Sequence, residues 1–112
     1  MRKYEFTGEV MTWIDRTLHQ IRAVVAFGDV EVGEIGGWIE KEENLSHEGN
    51  AWVYGNALVH GNARVEGNAW VEGNARVEGN ARVEGNAWVE GNARVEGNAR
   101  VEGNAWVYGN AR

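Results

Sequence analysis

The chain has 112 residues, a net charge of −6, 43% hydrophobic residues, sixteen glycines, and neither proline nor cysteine. Such a length allows one domain, or a small cap plus one array, and the lack of cysteine excludes a disulfide framework or a thiolate metal site. No apolar run approaches the ~20 residues needed to span a bilayer, and the opening MRKYEFTGEV has no signal-peptide core, so a cytoplasmic location, or recombinant expression only, is expected.

In chain order, the first elements follow no repeat. Lys3–Gly8 and Thr17–Phe27 read as strands, and Met11–Arg16 as the connection between them. The second strand places Ile21, Ala23, Val25 and Phe27 on one face, with His19 in the same phase and Arg22 opposite. Residues 1–48 hold five Lys or Arg against ten Asp or Glu, and residues 49–112 hold six Arg against seven Glu. Neither part offers the basic stripe that nucleic-acid binding requires. Residues 1–44 are read as an N-terminal cap and lead-in, because repeat arrays need atypical units to cover their ends.

From Gly49 the sequence reads G-N-A-x-V-z ten times, followed by GNAR at 109–112. Six residues suit one short strand and one corner. Ala and Val are two apart and share a face, so they point inward, with x and z outward. Gly-Asn makes the bend, since both tolerate positive φ. Extending the grid backwards puts Leu45, Ile39 and Ile35 at inward positions, but also His47 and Lys41, which fit poorly. The regular coil is therefore expected to begin near Leu45.

The x position sets the number of sides. Trp stands at 52, 70, 88 and 106, always eighteen apart, which is three repeats. A three-sided coil stacks these tryptophans on one side, whereas two or four sides would scatter them. The second side then carries Leu58, Arg76, Arg94 and Arg112, and the third carries Ser46, Arg64, Arg82 and Arg100. The fold class expected is all-β: a triangular parallel β-helix with 18 residues per coil over residues 45–112. Stacked Asn62, Asn80 and Asn98 are expected to form an amide ladder along one corner.

V-E-G-N-A-R resembles the hexapeptide-repeat pattern of left-handed parallel β-helices, known from acyltransferases and gamma-class carbonic anhydrases. The resemblance implies the left hand, although general crossover rules predict the right. The lead-in GGWIEKEENLS (Gly36–Ser46) is similar to that of phage and prophage hexapeptide-like proteins. Near-identical units and the stop at GNAR point to an engineered, consensus-like array on a natural cap.

Family chemistry finds few matching residues. Acyltransferases of this type generally use a catalytic His beside a groove between trimer subunits. The array contains one His, His60, at an outward z position with no loop beside it, and it is read as a natural remnant or a solvated surface residue. Zinc in the carbonic anhydrases needs three His at an interface, whereas His19, His47 and His60 are scattered. The uniform Glu columns lack the contrasting environments that acid–base pairs need. No catalytic, cofactor or metal residue is therefore assigned, and the expectation is a non-catalytic scaffold rather than an enzyme.

The Trp stripe is the feature with functional promise. The candidate interface residues are Trp52, Trp70, Trp88 and Trp106, with Tyr108 and the apolar Val101 and Val107 of the last coil. Contiguous apolar surface marks contacts, so the expected partner is a second copy, as a dimer through the C-terminal coil or the Trp face, with a trimer as the alternative. No nucleic-acid or membrane partner is expected. The stripe could instead bind carbohydrate or another protein, or simply stabilise the ladder. A relic acyltransferase is the remaining alternative.

Overall fold

The computed structural model describes residues 2–109. The chain opens with an antiparallel hairpin of β1 (Tyr4–Trp13) and β2 (Arg16–Ala23). Both strands run closer to the turn than expected, because the connection is only Ile14 and Asp15. These have φ of 44° and 64°, the mark of a two-residue hairpin turn. At its far end β2 stops at Ala23 rather than Phe27. There the chain folds back: Phe27 pairs with Val30 across a tight turn, and the Gly33 N–H donates to the Ala23 carbonyl at 2.9 Å.

Next comes β3 (Ile35–Ile39), which converts hairpin into coil. It pairs antiparallel with β2 on one edge and parallel with β5 (Leu58–Val59) on the other. Below it the two-residue strands stack in three parallel sheets. Side one holds β4 (Trp52–Val53), β7 (Trp70–Val71), β10 (Trp88–Val89) and β13 (Trp106–Val107). Side two continues from β5 into β8 (Arg76–Val77) and β11 (Arg94–Val95), and side three holds β6 (Arg64–Val65), β9 (Arg82–Val83) and β12 (Arg100–Val101). Partners such as Trp70 and Trp88, or Val77 and Val95, are one coil apart. The chain is thus an all-β solenoid, as the Trp spacing indicates, with one 3₁₀ turn at Glu42–Asn44.

The core is the expected pair of columns. Every Ala and Val from Ala51 to Val89 in the repeat is no more than 1% exposed. Ala99 and Ala105 keep this inward phase but are accessible, since no coil among the described residues packs below them. At the corners Gly, not Asn, takes positive φ, as Gly73 does at 69°. The Asn side chains stack instead: Asn62 Nδ2 donates to Asn80 Oδ1 at 3.3 Å, and Asn80 Nδ2 to Asn98 Oδ1 at 3.2 Å. Lys41 Nζ crowns this ladder by donating to Asn62 Oδ1 at 3.0 Å. Asn80→Ala, which breaks both rungs, is expected to cost about 1 kcal/mol, read as a lower denaturant midpoint with an unchanged slope. An unchanged midpoint would make the ladder energetically idle.

The misfit of His47 and Lys41 has a simple cause. Leu45 bridges Val65 and Ile39 pairs with Val59, twenty residues on, while Trp52 pairs with Trp70, eighteen on. Two extra residues therefore sit in the corner between Leu45 and Gly49. Once they are removed, Ile39 and Leu45 fall in the Val column, and His47 leaves the core for a bond between its Nδ1 and the Lys3 N–H at 3.0 Å.

The first coil leaves upward-pointing carbonyls on all three sides, and each side satisfies them differently. On side two, β3 supplies N–H groups: Trp38 to Ala57 at 3.0 Å and Glu40 to Val59 at 3.1 Å. On side three the buried Asn44 amide donates to Gly61 at 3.2 Å and Ala63 at 2.9 Å. On side one Lys3 Nζ donates to Ala51 at 2.8 Å while lying 4.6 Å over the Phe27 ring. Burial pulls the Lys3 ammonium down to a pKa of about 8.

This cap changes the fate of two outward x positions. Trp52 is fully buried, with its ring edge-on to Tyr4 at 6.3 Å and to Phe27 at 5.3 Å. Leu58 is 5% exposed. Both point out of the coil, but the N-terminal segment covers them. The Arg112 position of side two lies outside the described residues.

Candidate functional site

Two surfaces concentrate chemistry. One is the corner after side two, where z positions stack as Glu40, His60, Glu78 and Glu96, so His60 interrupts a carboxylate column. The hairpin tip lies against this side: Arg76 Cζ sits 4.1 Å over the Trp13 ring, and Arg16 Nη1 donates to Glu40 Oε1 at 2.8 Å. A cleft remains, lined by Trp13, Ile14, Arg16, His60, Glu78 and Glu96.

His60 is therefore not the solvated residue expected from sequence; it is 6% exposed. Its Nε2 lies 3.0 Å from Glu78 Oε2, close enough to pair though not aligned as a hydrogen bond, while Nδ1 has no partner among the described residues. Glu78 is held from below by Arg94 Nη2 at 3.3 Å. Trp13 Nε1 and Arg94 Nε are also buried without a partner among the described residues. Burial pulls the His60 imidazole below its usual pKa, and this outweighs the upward pull of Glu78. Burial pushes the Glu40 carboxyl up, but the Gly61 N–H and the Arg16 guanidinium together leave it below the usual range.

The depressed His60 pKa has a signed consequence. The folded state resists the proton that the unfolded chain accepts, so this contribution to stability is complete above the unfolded pKa and is lost as pH falls through the folded one. Between about pH 7.5 and about pH 5 the parent is expected to lose more stability than a His60→Gln variant. Chemical denaturation at both pH values reads the difference; parallel losses would refute it.

The other surface is the Trp column, and the interface candidates divide there. Trp70 and Trp88 are half-buried, with ring centroids 5.2 Å apart, while Trp88 and Trp106 stack at 5.3 Å and 11°. Trp106 and Tyr108 are 57% and 63% exposed, and Val107 is half-buried. Trp52 is withdrawn from the stripe by the cap, and Val101, at 7%, belongs to the core because it continues the inward Val column. Beside the rings runs the Asn corner that leads into side one.

Sequence reasoning missed the cover over His60, though one signal was present. The unit GNALVH (Gly55–His60) departs from GNARVE at x and z together. Leu58, an aliphatic residue at the head of a column that otherwise carries Arg76 and Arg94, marks a face that another segment covers.

Residues 93–109 match the family model described as YdcK Beta solenoid repeat. The chain is 38% identical over 80 residues to an uncharacterized acetyltransferase, YdcK, of Escherichia coli (strain K12). The match takes in 58% of this chain but only 24% of that protein, so the chain spans about a quarter of its relative's length. The likeness bears out the hexapeptide-repeat resemblance. The relative's acetyltransferase name overturns the expectation that the chain is not an enzyme. No helix among the described residues is long and apolar enough to cross a membrane. The repeat array is thus a β-solenoid similar to that of a protein named as an acetyltransferase.

Proposed function

We propose that this solenoid transfers a small acyl group at the His60 corner. The observation that carries the reading is the chain of contacts from Arg94 through Glu78 to His60, a base kept neutral by burial. With Nε2–H facing Glu78, the lone pair lies on Nδ1. An acceptor hydroxyl or amine would give its proton to Nδ1 as its oxygen or nitrogen attacks the carbonyl carbon of an acyl thioester. The thiolate would leave and take that proton from the imidazolium. Both ring nitrogens are covered in this arrangement, so turnover requires the tip, Trp13–Arg16, to lift.

Acetyl thioester incubated with a panel of amine and hydroxyl acceptors tests this, with released thiol as the readout. His60→Ala is expected to lower the rate by about 10²-fold or more. Thiol release that is absent across the panel, or equal in both proteins, would sink the reading.

The outward stack of Trp70, Trp88 and Trp106 favours a second reading, self-association through the Trp face. A two-fold contact would use each patch once and close at a dimer; a trimer with sideways-packed tryptophans is the alternative. Sedimentation is expected to give an oligomer that Trp106→Thr with Tyr108→Thr dissociates. A parent that remains monomeric at high concentration rules it out.

A further inference from the structure

The groove between the Trp column and its Asn corner has the chemistry of a sugar site, and we infer that it binds a linear neutral saccharide. It holds about 460 Å³ and is walled by Trp70 and Trp88 on one side and by Asn50, Asn68 and Asn86 on the other. The turn bearing Asp29 closes its upper end.

The amide wall is half committed. Asn68 Nδ2 donates to Asn86 Oδ1, and Asn86 Nδ2 to Asn104 Oδ1, each at 3.2 Å, while Asn68 Oδ1 accepts the Asn50 N–H at 3.3 Å. A primary amide has two N–H donors and two lone pairs on oxygen. At Asn68 and Asn86 these bonds use one of each, so each amide leaves one donor and one acceptor. These recur about every 4.8 Å, close to the length of one pyranose unit. Hydroxyls, which both donate and accept, fit such a row; a purely donating or purely accepting ligand uses only half of it.

The other wall supplies what hydroxyls cannot. Indole rings offer apolar faces with a negative quadrupole, suited to the C–H face of a sugar ring. Asp29, the one charged group among the described residues that line the groove, accepts from vicinal hydroxyls and repels anionic chains, which makes the ligand neutral. Repetition of the same groups coil after coil favours a polymer over a unique small molecule.

The groove lies at a different corner from His60 and its binding is read without acyl donor, so the two proposals fail separately. The full chain would be titrated with cellohexaose, chitohexaose and maltohexaose, following Trp emission and heat, with sedimentation in parallel. Saturable binding of at least one hexasaccharide is expected, with an alginate hexamer at least about tenfold weaker. Trp88→Ala is expected to weaken binding about tenfold or more, and Asn86→Ala and Asp29→Asn severalfold. Retained melting of the Asn86 and Asp29 variants keeps the result interpretable if Trp88→Ala fails to fold. The inference is overturned if none of the three hexamers binds, if binding survives all three substitutions, if alginate binds equally, or if a second copy occupies the groove and no sugar displaces it.

Discussion

A Val77→Asp chain is expected to lose its cooperative melting transition. Val77 is fully buried in side two, paired above with Val59 and below with Val95. The core has only Ala and Val columns to fill it, and every described polar side chain of the regular coils faces outward. A carboxylate there finds no donor. An unpaired buried charge either stays ionised at great cost or takes up a proton and still leaves its polar atoms unsatisfied. The loss should exceed about 4 kcal/mol, large against the stability of a small domain. Because each coil rests only on its neighbours, the break interrupts the stack in the middle. Circular dichroism and thermal melting read it, and Arg64→Asp, at an exposed outward position of side three, is the control expected to melt near the parent. Equal melting of parent and Val77→Asp would mean that the Val column does not face inward.

What could be read from sequence was what repeats. Four tryptophans at intervals of eighteen define three sides, and the Ala–Val spacing defines inside and outside, because each coil meets a copy of itself. The Asn ladder follows by the same logic. The cap was less legible because its geometry is set once, by tertiary contacts. Two inserted residues before Gly49 shift the hydrophobic phase, and a gapless grid cannot register them. Ile14 takes a positive φ that β-branched residues avoid, so the tight turn contradicts local propensity. The burial of Trp52, Leu58 and His60 depends on a segment distant in sequence lying across them. At His60 this turned an outward position into the most buried titratable group of the array's outer face, and with it the candidate site.

Gly36→Ala is expected to detach the cap from the coil. A glycine can be required for its φ or for the space it leaves, and this chain separates the two. Gly97 has φ of 66° and nothing within 4 Å of where a Cβ would lie, so Gly97→Ala bears only the left-handed penalty of about 1–2 kcal/mol. Gly36 has no such backbone constraint, but its Cβ would fall 2.6 Å from the Val53 carbonyl oxygen, 2.7 Å from Trp52 Cζ2 and 2.9 Å from Ile21 Cγ1. One neighbour is backbone in the first coil and another is the largest fully buried side chain, so neither yields readily. Relief requires β3 to move away from β4, which uncovers Trp52 and strains the β3–β5 pairing that joins cap to array. Overpacking costs about 1–3 kcal/mol where side chains can shift, and this site should lie at or above the upper end. The signature is a red shift in Trp emission below the main melting transition, from exposure of Trp52, with Gly97→Ala showing none. If Gly36→Ala melts in one step at the parent's temperature with unshifted emission, the close packing of β3 against the first coil does not exist.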